Sequence, residues 1–155
     1  MTDVDAFLRW SAGDLLAPGI RAAYAEWLVH RALGLDPGLH RREELVQLRA
    51  GALSLAVRSA AYVISRGQEH PGAISFAIES RTASAFVFCL LMEQNPLLAD
   101  PLNLSQWLFW VVPTARLHPD RQSIGLQPLI RAHGEGVGHE VLSARLEALR
   151  SPSQD

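Results

Sequence analysis

From Ala52 to Tyr62 apolar and polar positions alternate. Leu53, Leu55 and Val57 fall on one side of an extended chain, and Ser54, Ala56 and Arg58 on the other. Upstream, Glu44 to Arg49 has strand character. Ala50-Gly51 between the two runs supplies a tight turn in which Gly51 tolerates positive φ. The pair predicts a β-hairpin that buries one face and sends the lone cation Arg58 off the other. Ahead of it the period changes to that of a helix. Val4 to Leu16 places Phe7, Leu8 and Leu15 or Leu16 inward on a short amphipathic helix. After a break at Pro18, Gly19 to Leu33 is the best helix of the chain. Ile20, Ala23, Trp27 and His30 or Arg31 recur along it, as do Tyr24, Leu28 and Arg31. Gly34 stands where a left-handed C-terminal residue belongs, and Asp36-Pro37-Gly38 reads as a turn.

Beyond the hairpin, Ser65 to Gly72 is polar and turn-rich, and Ala73 to Ile78 reads as a strand. Ala83 to Met92 is apolar on both faces, as a central buried strand requires. A loop from Asn95 to Asn103 leads to a further strand, Gln106 to Val112, closed by Pro113. Trp107 and Phe109 share one of its faces and Trp110 takes the other. Leu126 to Ala132 and Gly138 to Arg150 read as helices around the flexible surface segment Gly134-Glu135-Gly136. Ser151 to Asp155 reads as a disordered tail. The order predicts an α/β or α+β domain over residues 1–150, a central mixed β-sheet flanked by helices.

Composition narrows the function classes. At 155 residues, 48% of them apolar, the chain is one domain long enough to bury a core. Its net charge of −2 gives no global attraction to nucleic acid. A local basic patch could still form from His40, Arg41, Arg42, Arg49, Arg58 and Arg66. All 14 basic residues are Arg, so a Schiff-base lysine and a Walker-type lysine are excluded. The single cysteine, Cys89, lies in an apolar run and reads as a small buried hydrophobe, which excludes a Cys-rich zinc site. The acidic start, Met-Thr-Asp-Val-Asp, does not read as a signal peptide. The longest apolar run is about half the roughly 20 residues a membrane helix needs. The expectation is a cytoplasmic protein with no membrane partner.

Certain stretches carry a family resemblance. They are Ala25-Glu26-Trp27-Leu28-Val29 on the long helix, Arg42-Glu43-Glu44, and Leu55-Ala56-Val57-Arg58-Ser59-Ala60-Ala61-Tyr62. Phe86 to Leu91, Leu104-Ser105-Gln106-Trp107, Pro113 and Gln122 to Leu126 follow. Over Gly19 to Ile130 this order resembles small bacterial proteins of the PD-(D/E)XK, or restriction-endonuclease-like, superfamily. The resemblance implies that fold and a homodimer. In such proteins the hairpin reads Ile-Glu-Val-Lys-Ser; acids there hold Mg²⁺, and a lysine on the same face orients the attacking water. Here Ala56 aligns with the second acid and Arg58 with the lysine. The upstream acid has no clear counterpart beyond Glu43 and Glu44, while Glu26 matches a helical glutamate found in part of the superfamily. Alanine binds no metal, and an arginine, with a pKa above about 12, is a poor proton acceptor.

The resemblance therefore implies a degenerate nuclease without metal or cofactor, acting as a binding or regulatory module. Its partner would be a protein or a small anionic ligand, with nucleic acid not favoured. A second reading is a metal-free enzyme in a repurposed cleft, performing cyclisation, elimination or isomerisation in secondary metabolism. A third is residual nuclease activity with Glu43 or Glu44 in the metal site. The candidate catalytic residues are Glu26, His30, Arg58 and Tyr62. Glu26 and His30 share a helix face for acid–base work, and Arg58 is an anion-binding fork. Arg58, Gln68 and Trp107 are the candidate ligand-binding residues. His133 and His139 match no standard zinc spacing.

Overall fold

The computed structural model describes residues 1–40, 47–64, 68–69 (backbone only), 72–78 and 80–150. The chain is a mixed α+β domain. Helices α1 (Asp3–Ala12) and α2 (Pro18–Ala32) precede strands β1 (Leu48–Ala50), β2 (Leu53–Ala61), β3 (Val63–Ile64), β4 (Gln68–Glu69), β5 (Ser75–Ala77), β6 (Ala85–Leu91), β7 (Trp107–Pro113) and β8 (Ser123–Gly125). Helices α3 (Leu126–His133) and α4 (His139–Arg150) follow. The main sheet has the order β1-β2-β6-β7. Its β2–β6 pair is parallel, and the two outer pairs are antiparallel. Two small ladders, β3–β4 and β5–β8, stand apart from it. No described helix is long and apolar enough to cross a membrane.

Period-2 alternation along β2 sorts the core into two layers. Leu55, Val57 and Ala61 join Ala25, Leu28 and Val29 of α2, Leu142 and Leu146 of α4, and Trp107 and Phe109. Ala56 and Ala60 join Phe76, Phe86, Phe88, Trp110 and Leu129 on the other side. Every residue of β6 is buried, including Cys89, whose thiol burial pushes up. β6 serves both layers, so its sequence has no polar face to alternate with. Gly34 and Gly51 adopt the positive φ that their turns require.

Three expectations are corrected. α1 ends at Ala12, and none of its residues is buried: Phe7 and Leu8 are more than half exposed, because none of the described residues covers them. On α2 the buried residues are Arg21, Ala25, Leu28, Val29 and His30; Leu28 and His30 are among the expected positions, whereas Trp27 and Arg31 are exposed and Arg21, Ala25 and Val29 take their place against the sheet. The segment after α3 is no free loop. Val137 exchanges two backbone hydrogen bonds of 2.8 Å with Phe109, and the Trp110 indole N–H donates to the Gly134 carbonyl at 2.9 Å. A Cβ at Gly136 would sit 2.9 Å from the Trp110 ring, so glycine lets the strap lie flat on it. The sequence also gave no sign of β8, which pairs with β5 from 48 residues away (Phe76 to Ile124). The expected tail at residues 151–155, the acids Glu43 and Glu44, and Arg41, Arg42 and Arg66 of the basic patch lie outside the described residues.

Candidate functional site

Helix α2 carries the site. Pro18 opens it, where a missing N–H costs nothing, and Leu33 with Gly34 closes it. The chain then turns at Asp36, whose carboxylate accepts from the Gly38 N–H at 3.0 Å, while Gly38 takes positive φ. This turn returns the chain along the helix and lays His40 against it. The Glu26 carboxylate lies 2.9 Å from the His40 Nε2 and 3.9 Å from the His30 Nε2. His30, one turn beyond Glu26 on α2, is only 8% exposed, and neither of its ring nitrogens has a hydrogen-bond partner among the described residues. Burial holds its pKa below the usual value, with the Asp36 charge pulling upward more weakly.

Two adjoining hollows meet at the Glu26–His40 pair. One, of about 360 Å³, is walled by Leu15, Ile20, Tyr24, Trp27, His30 and Pro37. The other, of about 340 Å³, runs from the start of α2 to Gln47 and Val57 of the hairpin. Trp27 stacks on Tyr24 at 5.7 Å, and the Arg31 guanidinium lies 4.9 Å over the Trp27 ring. Burial, and then the Asp100 charge, raise the Tyr24 pKa, so its hydroxyl stays protonated. The result is an apolar, aromatic-walled groove with a carboxylate flanked by two imidazoles. Such a set can accept, donate and pass a proton, or hold a polar group of a bound partner.

The expected residues do not all assemble there. Glu26 and His30 line the groove together. Arg58 lies on the opposite face of the sheet, its guanidinium 5.5 Å over the Phe86 ring. Its Nη1 donates to the Gln47 side-chain carbonyl at 3.1 Å and to the Val57 carbonyl at 3.0 Å. That Gln47 oxygen also accepts from the Val57 N–H at 2.7 Å, which continues the β1–β2 ladder beyond the end of β1. Gln47 and Val57 thus link the groove to Arg58. Tyr62 packs on the Arg58 side, beside a separate hollow of about 320 Å³ lined by Ile74, Leu126 and Pro128. Trp107 is in the core, its indole N–H donating to the Pro101 carbonyl at 2.8 Å. Its ring lies 6.4 Å from that of Tyr24 in the groove wall. The Gln68 side chain lies outside the described residues.

His40 was missed as a site residue. It follows the helix end by eight residues, and its only sequence signal is the Asp-Pro-Gly turn before it. Among the described residues, no three His, Cys, Asp or Glu side chains form a group that could hold a metal ion. Comparison with known proteins found no matching family model and no matching curated relative.

Proposed function

We propose that this chain is a restriction-endonuclease-like protein that has lost its catalytic acids and works as a protein-binding module. The observation that carries this reading is Ala56. It stands where the resemblance puts a metal-binding acid, it is 1% exposed, and it packs into the strand-side core. A methyl group in that position offers no oxygen to a cation. Arg58, in the place of the water-orienting lysine, is tied to Gln47 and Val57. The near-neutral net charge favours a protein over nucleic acid as partner. So does the distribution of exposed apolar side chains: Phe7, Leu8, Trp10, Trp27, Leu98 and Leu102 all lie on α1, on α2 or in the loop before β7. The deciding experiment is a phosphodiesterase assay on DNA and RNA with Mg²⁺ and Mn²⁺. No cleavage is expected, and cleavage that Arg58→Ala abolishes overturns the proposal.

One arrangement favours a second reading, a metal-free acid–base enzyme acting on a small anionic molecule. It is the Glu26 carboxylate between His30 and His40 at the edge of an apolar hollow. That reading requires a turnover that Glu26→Gln abolishes while the fold is kept.

A further inference from the structure

Helix α1 is ten residues long and buries nothing, although Val4, Phe7, Leu8 and Trp10 are apolar and each more than half exposed. An isolated helix below about 12–15 residues is marginal in water. A capping box, in which the Asp5 N–H donates to the Thr2 hydroxyl and the Asp5 carboxylate accepts from the Thr2 N–H, holds only its first turn. Burial against something must supply the rest. At 100° per residue, Val4, Phe7, Leu8 and Ser11 fill one stripe about 100° wide. One flank of the stripe carries Asp5 and Arg9, and the other carries Asp3 and Trp10.

This pattern complements itself. In a two-fold antiparallel helix pair, each flank meets the same flank of the second copy. An axis through Phe7, midway between residues 5 and 9, sets Asp5 opposite Arg9 of the second copy, and the symmetry makes that pair twice. On the other flank Trp10 falls level with Val4 of the second copy, next to its Asp3. The apolar stripe, from Val4 to Ser11, is centred about half a residue from that axis. Antiparallel packing also puts each helix N-terminus, with Asp3 and Asp5, beside the C-terminus of its neighbour. In a parallel pair the like charges would align. We infer that α1 is a homodimerisation element, pairing antiparallel with α1 of a second copy about an axis at Phe7. This gives the protein-binding reading above a specific first partner. A pair of helices this short makes an interface at the small end of specific ones, so dissociation on the order of micromolar is expected.

The test is sedimentation velocity over a concentration series, on the full chain. Wild type is expected to dimerise. Arg9→Glu and Asp5→Arg are each expected to weaken the dimer about tenfold or more, because each leaves like charges facing across the axis. An equimolar mixture of the two variants restores opposite charges at both positions and is expected to recover the dimer. Loss of the cap or of helicity would weaken Asp5→Arg alone but could not produce this recovery. Oxidation of Phe7→Cys supplies a second readout: the new thiols meet at the axis and cross-link two chains, while the buried Cys89 stays silent. A monomer at all concentrations, a dimer indifferent to both charge changes, or a mixture without recovery overturns the inference. These outcomes separate from those of the cleavage assay. A chain that cleaves nucleic acid as a dimer defeats only the proposed function, and an inactive monomer defeats only the α1 pairing.

Discussion

On the strand side of the central sheet, Phe86 stacks on Phe88 at 5.6 Å and Phe76 tilts against Phe88 at 5.1 Å. Trp110 finds a carbonyl for its N–H, and every described buried side-chain polar atom is partnered. On the helix side, Arg21, His30 and Ser59 hold buried polar atoms without a hydrogen-bond partner among the described residues. The two apolar hollows beside Glu26 and the exposed Trp27 belong to that side too. Orphaned buried polar groups and uncovered apolar surface both cost free energy. Tolerating them together on the helix side marks that side as the working surface, while the strand side, whose described buried polar atoms are partnered, serves as scaffold.

The largest test of that contrast is Phe88→Ala. Phe88 is fully enclosed among aromatic rings, so truncation leaves a cavity that its neighbours cannot fill. A loss of about 3–5 kcal/mol is expected in denaturant melts. A loss below about 1 kcal/mol would mean that the strand side is not the rigid half. Arg21→Met tests the helix side in the opposite direction. Arg21 is 6% exposed, burial lowers its pKa, and its Nε and Nη1 have no hydrogen-bond partner among the described residues. The substitution keeps the stem and removes the stranded charge, so a gain of about 1 kcal/mol is expected. A clear loss instead would reveal a partner for the guanidinium and weaken the contrast.

The smallest effect is a pH dependence. The folded state holds His30 below its ordinary pKa, so below about pH 6.5 the unfolded chain binds that proton more readily. Its contribution to stability is complete above that pH and is lost as pH falls through the lowered value. His133, on α3, is shifted the same way, by burial and then by Arg116. Melting temperatures measured from pH 7 to pH 5 are expected to fall, and His30→Gln to flatten part of that fall. If His133→Gln flattens all of it, the helix side holds no titrating group of consequence.

How much of this was legible in the chain depends on the range of the interaction concerned. The alternation in β2, the unbroken apolar run of β6, the split of Trp107 and Phe109 from Trp110, and the glycines at 34 and 51 were all legible. Backbone period and φ preference are properties of a few adjacent residues. Glu26 and His30 were legible as neighbours for the same reason, being one turn apart. What the periodicity of α1 did not contain was whether anything in the same chain would cover it. An amphipathic pattern says which face seeks burial and says nothing of where a partner comes from.

The sequence by itself determined an α+β class, the sheet's two-faced core and a hairpin without acids at its centre. Only the tertiary structure decided that Arg58 and Glu26 sit on opposite faces of the sheet, that His40 folds back onto Glu26, and that β5 finds β8. Each of these depends on where whole elements come to rest. That is fixed by the burial of many side chains at once, and no local spacing encodes it.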